Sequence, residues 1–481
     1  MKKKITLLFL NFIFLFTLAA QSTPVENLYR YTLDNGLELF IAENDAAPLV
    51  YIEVAVRGGG IAQTQENAGL FHLYEHMMFK GNSKYRDAAS VQSALNKMGV
   101  TDWNGSTGIE WVNYYYTVPS KVLEEGIEFW NYAIREPLLD EKEFENEKKV
   151  VLSEIEGNAS DPQRILLKKL SGITFPLAPY KLDPGGLSET IKKAELDDLK
   201  KIKEEYYVPN NTALFIGGDV KAQKVYELVN KIWGSWKKAD DPWKKDNFCQ
   251  DKNPFCKNQF VVIPYSKMSE QFAQICVRFR GPDTAFDVKS TYAADVLSTL
   301  FDDPKGIFKS TMTENQFLAI PNEDYVWMSY PTRRKSALIE FGAVITEVEN
   351  KAASRTKEFA KLLKENVIDS ILKNENIFSQ EQMQMVAQKI RDNQIYECET
   401  AAGLLTTLRF WWICDSADYY FDYLKNIEST SYDDIKVFLE KYIESKNPLV
   451  YILINPSVYE KTKNEFMQEG FTVINLEAEK N

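Results

Sequence analysis

Residues 29–60 read YRYTLDNGLELFIAENDAAPLVYIEVAVRGGG. YRYTL (29–33) and LELFIA (37–42) alternate apolar and polar side chains, the period of two expected of half-buried strands. Asp34-Asn35-Gly36 between them is a strong turn sequence, so the two form a hairpin. A third strand, LVYIEVAVRGG (49–59), follows a short polar link. Strand follows strand here, whereas a parallel sheet would need a crossover helix between them.

The same reading holds outward along the chain. Helices are expected over 68–79 and 88–98, then strands at TDWNGST (101–107) and EWVNYYYTV (110–118). A helix should cover 122–135, and Asp140 should cap another running to 156. TALFIGGDV (212–220) reads as a strand and 222–233 as a helix. Beyond residue 258, QFVVIPY, FAQICVRFRG, DYVWMSYP, SALIEFGAVIT and PLVYILINP read as strands, with long helical patterns over 353–372 and 380–396. The expected class is α+β with mostly antiparallel sheets covered by helices. The divisions are 21–236, a charged, proline-containing linker at 237–258, and 259–481.

Lys2, Lys3 and Lys4 precede the apolar run ITLLFLNFIFLFTLAA, which ends in Ala19 and Ala20. Basic head, apolar middle and small-residue exit predict a signal peptide at 1–20. The run is short for a bilayer span. The chain is therefore expected to be exported, periplasmic or secreted, and free of the membrane after cleavage. Its formal charge of −12 becomes −15 once the three leader lysines are removed, which argues against nucleic acid as a partner. Of the five Cys, Cys249 and Cys256 are spaced to close a small loop by a disulfide. None shows the CxxC spacing of a thiolate zinc site.

The chain's only two histidines, His72 and His76, lie in FHLYEHMMFKG (71–81). A spacing of four puts both imidazoles on one helix face, a turn apart, able to share one Zn²⁺. Glu75 falls between them on nearly the same face, placed to take a proton from a metal-activated water. This is the His-x-x-Glu-His order. Zinc needs a third protein ligand, and with no histidine left a carboxylate is expected. The stretch EKEFENEKKVVLSEIEG offers Glu141, Glu143, Glu145, Glu147, Glu154 and Glu156. Glu147 and Glu154 share a face two turns apart, and spacing alone does not choose between them.

These motifs resemble the pitrilysin, insulysin and mitochondrial processing peptidase family of inverzincins. TLDNGLELFIAENDAAPLVYIEVAVRGGG, AGLFHLYEHMMFKG, EKKVVLSE and YYVPNNTALFIGGDV carry the resemblance in order and spacing. It implies two structurally related domains, the zinc-bearing one first. It implies His72, His76 and Glu154 as ligands of one zinc ion, Glu75 as general base, and Glu147 as the group that orients a ligand histidine. It also implies a substrate-pairing strand at Asn104, Gly105, Ser106 and Thr107, where Gly105 replaces the family's usual Ala.

Complete sites of the family carry an Arg and a Tyr seven residues apart, and Met312 and Ala319 occupy those places here. The resemblance thus implies a zinc endopeptidase cleaving peptides or small unfolded polypeptides in a closed chamber. A second half-length subunit is expected to supply Arg and Tyr in a heterodimer. The rival expectation is a catalytically idle or partner-dependent subunit acting as peptide-binding scaffold or chaperone.

Overall fold

The computed structural model describes residues 25–175, 179–244, 255 and 259–476. The expected leader at 1–20 and the expected disulfide pair, Cys249 and Cys256, lie outside the described residues.

Two six-stranded sheets organise the chain. The first contains β1 (Leu28–Thr32), β2 (Glu38–Glu43), β3 (Leu49–Arg57), β4 (Trp103–Thr107), β5 (Trp111–Pro119) and β6 (Thr212–Gly218), in the order β1-β2-β6-β3-β5-β4. The expected hairpin pairs Leu28 with Ala42 and Thr32 with Glu38. Its turn is fixed by Asn35, whose side chain accepts from the Leu37 amide at 3.1 Å and donates to the Trp233 and Trp236 carbonyls, each at 3.0 Å. The second sheet contains β7 (Gln259–Pro264), β8 (Ala273–Arg280), β9 (Val326–Ser329), β10 (Leu338–Ile345), β11 (Leu449–Ile454) and β12 (Thr472–Val473), in the order β12-β7-β11-β8-β10-β9.

The sheets are mixed, and mostly antiparallel. β2 runs parallel to β6, and β7 runs parallel to both β11 and β12, while the remaining pairs are antiparallel. With β1 and β12 set aside, β2-β6-β3-β5-β4 and β7-β11-β8-β10-β9 repeat one order, with the parallel pair in the same place. The two domains are therefore structurally related.

β6 and β11 are buried at every position, as expected of strands covered on both faces. One cover in each case comes from the other half of the chain. Leu405, Leu408 and Trp412, on the helix Ala401–Cys414, pack against Phe40, Ala55 and Phe215 of the first sheet. Leu166 and Leu170, on the helix Pro162–Thr174, pack against Val261, Ile263 and Tyr451 of the second. Gly217 permits the first of these contacts, since a Cβ there would stand 2.7 Å from Leu405 Cδ1. A buried charge pair secures it: Arg409 Nε lies 2.8 Å from Glu53, which is fully buried on β3 and also accepts from Asn113 and Tyr51. Removing Arg409 alone would strand that carboxylate in the interior, a strongly destabilising change.

Met312, on the helix Ile307–Glu314, is fully buried in the second core, and Ala319 follows in the left-handed region at φ 54°. No helix among the described residues is long and apolar enough to cross a membrane.

Candidate metal centre

The helix Leu70–Met77 carries the histidine motif. Phe71, Leu73, Tyr74 and Met77 are buried in the first core, which turns His72 and His76 toward the opposite, half-buried side. The helix start is fixed by close backbone packing. Gly69 sits in the left-handed region at φ 93°, and a Cβ there would stand 2.7 Å from Gly186 Cα. Gln63, almost fully buried, accepts from the Gly69 amide at 2.5 Å and donates to the Asp183 carbonyl at 3.2 Å. One amide side chain thus ties the helix to the loop beside His72.

The acidic helix Glu141–Asn158 begins as expected, with Asp140 accepting from the Lys142 and Glu143 amides at 3.0 Å each. Its inward residues are Phe144, Glu147 and Val151, a helical stripe that Glu154 continues. Glu147 and Glu154 therefore both reach the histidines, at different atoms. Glu154 Oε2 lies 3.6 Å from His72 Nε2 and 3.7 Å from His76 Nε2. Glu147 Oε2 lies 3.0 Å from His76 Nδ1, on the far side of that ring. Glu141, Glu143, Glu145 and Glu156 are not in the cluster.

The two imidazole Nε2 atoms are 3.3 Å apart. Tetrahedral zinc with bonds of about 2.0–2.2 Å separates its ligand atoms by about 3.3–3.6 Å. The three donor atoms form a triangle close to that size. Glu147 accepts from Nδ1 of His76, which leaves the lone pair of Nε2 turned toward the cluster. Two nitrogens and a carboxylate oxygen converge within 4.8 Å of one another, and the donor set suits zinc. Glu154 is 44% exposed, so the cluster has an open side. His72, His76 and Glu154 are the one such group among the described residues.

The charges around the ligands are graded. Burial lowers the pKa of His72, helped by the charge of His76. Burial also acts downward on His76, but the hydrogen bond to Glu147 and the charges of Glu154 and Glu75 outweigh it, and its pKa is raised. Glu147 is held below the usual carboxylate range, because His76 and Lys80 outweigh its own burial. Lys80 Nζ lies 2.7 Å from Glu147 Oε1. Lys80 stands beyond the end of the helix Leu70–Met77, and its contact with Glu147 is tertiary, with no local signal in the sequence.

Glu75 is buried, and burial raises its pKa against the pull of Thr107 and His76. Thr107 Oγ1 donates to Glu75 Oε2 at 2.8 Å. Thr107 belongs to β4, the edge strand of the first sheet, which pairs Asn104 with Tyr115, Gly105 with Tyr114, Ser106 with Asn113 and Thr107 with Val112. The sequence reading placed these four residues on a strand; the hydroxyl contact to Glu75 had no local signal.

Comparison with known proteins agrees with this geometry. The family model Insulinase (Peptidase family M16) matches residues 39–183, and the model Peptidase M16 inactive domain matches residues 193–375. The chain is 26% identical over 319 residues to Zinc protease PqqE of Helicobacter pylori, spanning 65% of this chain and 70% of that protein. It is 28% identical over 261 residues to the zinc protease YmxG of Bacillus subtilis, spanning 52% of this chain and 59% of YmxG. Its fold matches the crystal structure of the first half of the periplasmic protease PqqL from Escherichia coli at a TM-score of 0.73 and 14% identity, covering 95% of this chain and all of that one. Site, sheet order and family models agree that the chain belongs to peptidase family M16.

Proposed function

We propose that the chain is a zinc-dependent endopeptidase, with His72, His76 and Glu154 holding one zinc ion and Glu75 acting as general base. The observation that carries this reading is the convergence of the three donor atoms within 4.8 Å of one another. When bound there, zinc supplies Lewis acidity toward a scissile carbonyl and lowers the pKa of water to roughly 7. The chain's own residues do the rest. Glu147 fixes the ring of His76 through Nδ1. Glu75, once ionised, takes the proton of the attacking water on a carboxylate oxygen and passes it to the leaving amine. An extended peptide adds to the free edge of β4 at Asn104–Thr107 by main-chain hydrogen bonds, which selects flexible peptides or small unfolded polypeptides over folded proteins. The leader at 1–20 and the likeness to a periplasmic protease support an exported enzyme.

Activity on this reading depends on a second half-length subunit. Met312 and Ala319 stand where the family's Arg and Tyr are expected, and Met312 is buried in the core rather than turned to a substrate. A homodimer cannot supply what neither copy has. The chain alone, loaded with zinc, is therefore expected to cleave a quenched peptide library slowly, and a neighbouring half-length homologue carrying the Arg and Tyr to raise turnover on the order of 10²–10³-fold, the worth of one oxyanion donor. Full turnover by the isolated chain would refute the need for a partner. No turnover in either case, at full zinc occupancy, would favour the rival reading of a peptide-binding scaffold or chaperone.

A further inference from the structure

The two ligand histidines are oriented by different means. Glu147 holds Nδ1 of His76 at 3.0 Å. Nδ1 of His72 is buried without a hydrogen bond of normal geometry, and the groups acting on that ring from outside the metal cluster are the Gly185 backbone and Asp183. The placing of His72 therefore depends on the loop 179–187. That loop is turned on itself, with Asp183 accepting from the Gly185 amide at 2.7 Å and the Gly186 amide at 2.9 Å. At its near end Gln63 ties it to the histidine helix. At its far end Tyr180 donates to Glu110 Oε1 at 2.6 Å. Glu110 is buried in the turn between β4 and β5, and its other side-chain partners come from the second half of the chain. The Arg334 amide donates to Glu110 Oε2 at 3.1 Å and the Lys335 amide to Oε1 at 3.4 Å. Successive amides around one carboxylate form an anion-binding nest. Ser336, left-handed at φ 55°, closes it and donates its own amide to Asp283 at 2.8 Å. The nest is fixed from behind, because the Thr284 and Ala285 amides donate to the Arg333 and Arg334 carbonyls at 3.1 and 3.0 Å. The main chain of Glu110 adds a second route to the metal, accepting from the Gly58 amide at 3.2 Å a few residues before Gln63.

We propose that Glu110 is the clasp through which the second half of the chain holds the His72 side of the metal centre: second-half amides grip its carboxylate, and the carboxylate fixes Tyr180 and the loop that carries Gly185. Glu110 and Tyr180 are positioning residues, since neither belongs to the donor set. The inference rests on the reading of His72 as a zinc ligand. It gives the second half, which contributes none of the three donors, a part in retaining the metal. An apolar side chain at position 110 would leave two buried amides and the Tyr180 hydroxyl unpaired, which loosens the nest and the loop together.

The test measures the rate at which the full-length chain, loaded with zinc, releases it to a chromophoric chelator, with circular dichroism confirming the fold of each variant. Tyr180→Phe keeps the ring against Phe175, 5.5 Å away between centroids, and removes only the hydroxyl. It is expected to release zinc about 10-fold faster, and Glu110→Ala on the order of 10- to 100-fold faster, the range for loss of a group that orients a ligand. Glu110→Gln should stay within about three-fold of the unaltered chain, because its oxygen can accept from the nest and its amino group can donate to the Tyr180 oxygen. Tyr423→Phe is the control for lost stability alone. It removes a bond of similar length, to Asp295 at 2.8 Å within the second half, and should release zinc at the unaltered rate. Should Glu110→Ala fail to fold, Tyr180→Phe still decides. Unaltered release from Tyr180→Phe, release from Tyr423→Phe as fast as from Tyr180→Phe, or a Gln variant as fast as Ala would overturn the clasp. His72→Ala, run beside them, separates the two failures. If it holds zinc like the unaltered chain, the ligand assignment falls and the clasp with it. If it binds none while Tyr180→Phe and Glu110→Ala release zinc at the unaltered rate, only the clasp falls.

Discussion

Replacing Glu75 with Gln is expected to leave zinc bound and to lower peptide turnover on the order of 10²–10⁴-fold. The amide has nearly the size of the carboxylate and its oxygen can still accept the Thr107 hydroxyl, which lies 2.8 Å from Glu75 Oε2. It cannot take a proton from water, and that transfer is worth this factor in rate. Glu75 is not one of the three donors His72, His76 and Glu154, so metal affinity should be little changed. Glu154→Gln is the control, because it weakens a ligand and should lower zinc affinity itself. Metal content and turnover measured on both variants check the assignment. Loss of zinc from Glu75→Gln with retention in Glu154→Gln would reverse the two roles.

The second large effect is on the metal itself. His72→Ala or His76→Ala is expected to abolish zinc binding and all turnover, because two remaining donors do not make a catalytic site. Zinc uptake by equilibrium dialysis measures this directly. The same assay has a pH dependence of known sign. Zinc binds the neutral imidazole, so protons compete with it. The pKa of His76 is raised above its ordinary value by Glu147, Glu154 and Glu75 against the opposing effect of burial. Affinity should therefore fall as pH drops through and below the imidazole range, and rise above it. Glu147→Gln removes the charge at His76 Nδ1 and should weaken zinc about 10- to 100-fold, the usual worth of such a partner. Full zinc occupancy in a His72→Ala/His76→Ala double variant would contradict the site.

The parts of this structure that were legible in the sequence are those written in short-range spacing. His72, Glu75 and His76 fall on one face because of helical geometry, and the hairpin at 29–42 is local. The Asp140 cap sits where its sequence placed it. Long-range features were not legible. Glu147 and Glu154 share a helix face, and only the crossing of two helices decides that one meets Nδ1 and the other Nε2. The parallel pairing of β2 with β6 joins strands about 170 residues apart, with no local pattern to announce it. The helix Ala401–Cys414 is apolar on most sides because Trp411 packs toward the second core while Trp412 packs against the first sheet, so its periodicity is blurred. The loop at Gly186, in contact with Gly69, and the Thr107 hydroxyl on Glu75 depend on tertiary packing alone. The resemblance implied Met312 and Ala319 in the places of an Arg and a Tyr, but the burial of Met312 had no local signal.

The central claim is that peptide cleavage by this chain depends on zinc held by His72, His76 and Glu154. The most direct measurement is turnover of a quenched peptide by the chain combined with the proposed half-length partner, first after chelation and dialysis, then during titration with zinc. The account predicts no turnover in the stripped protein, and recovery that saturates at one zinc per chain. Recovery should be absent in His76→Ala titrated the same way. Full turnover in the stripped protein, or equal recovery in His76→Ala, would contradict it.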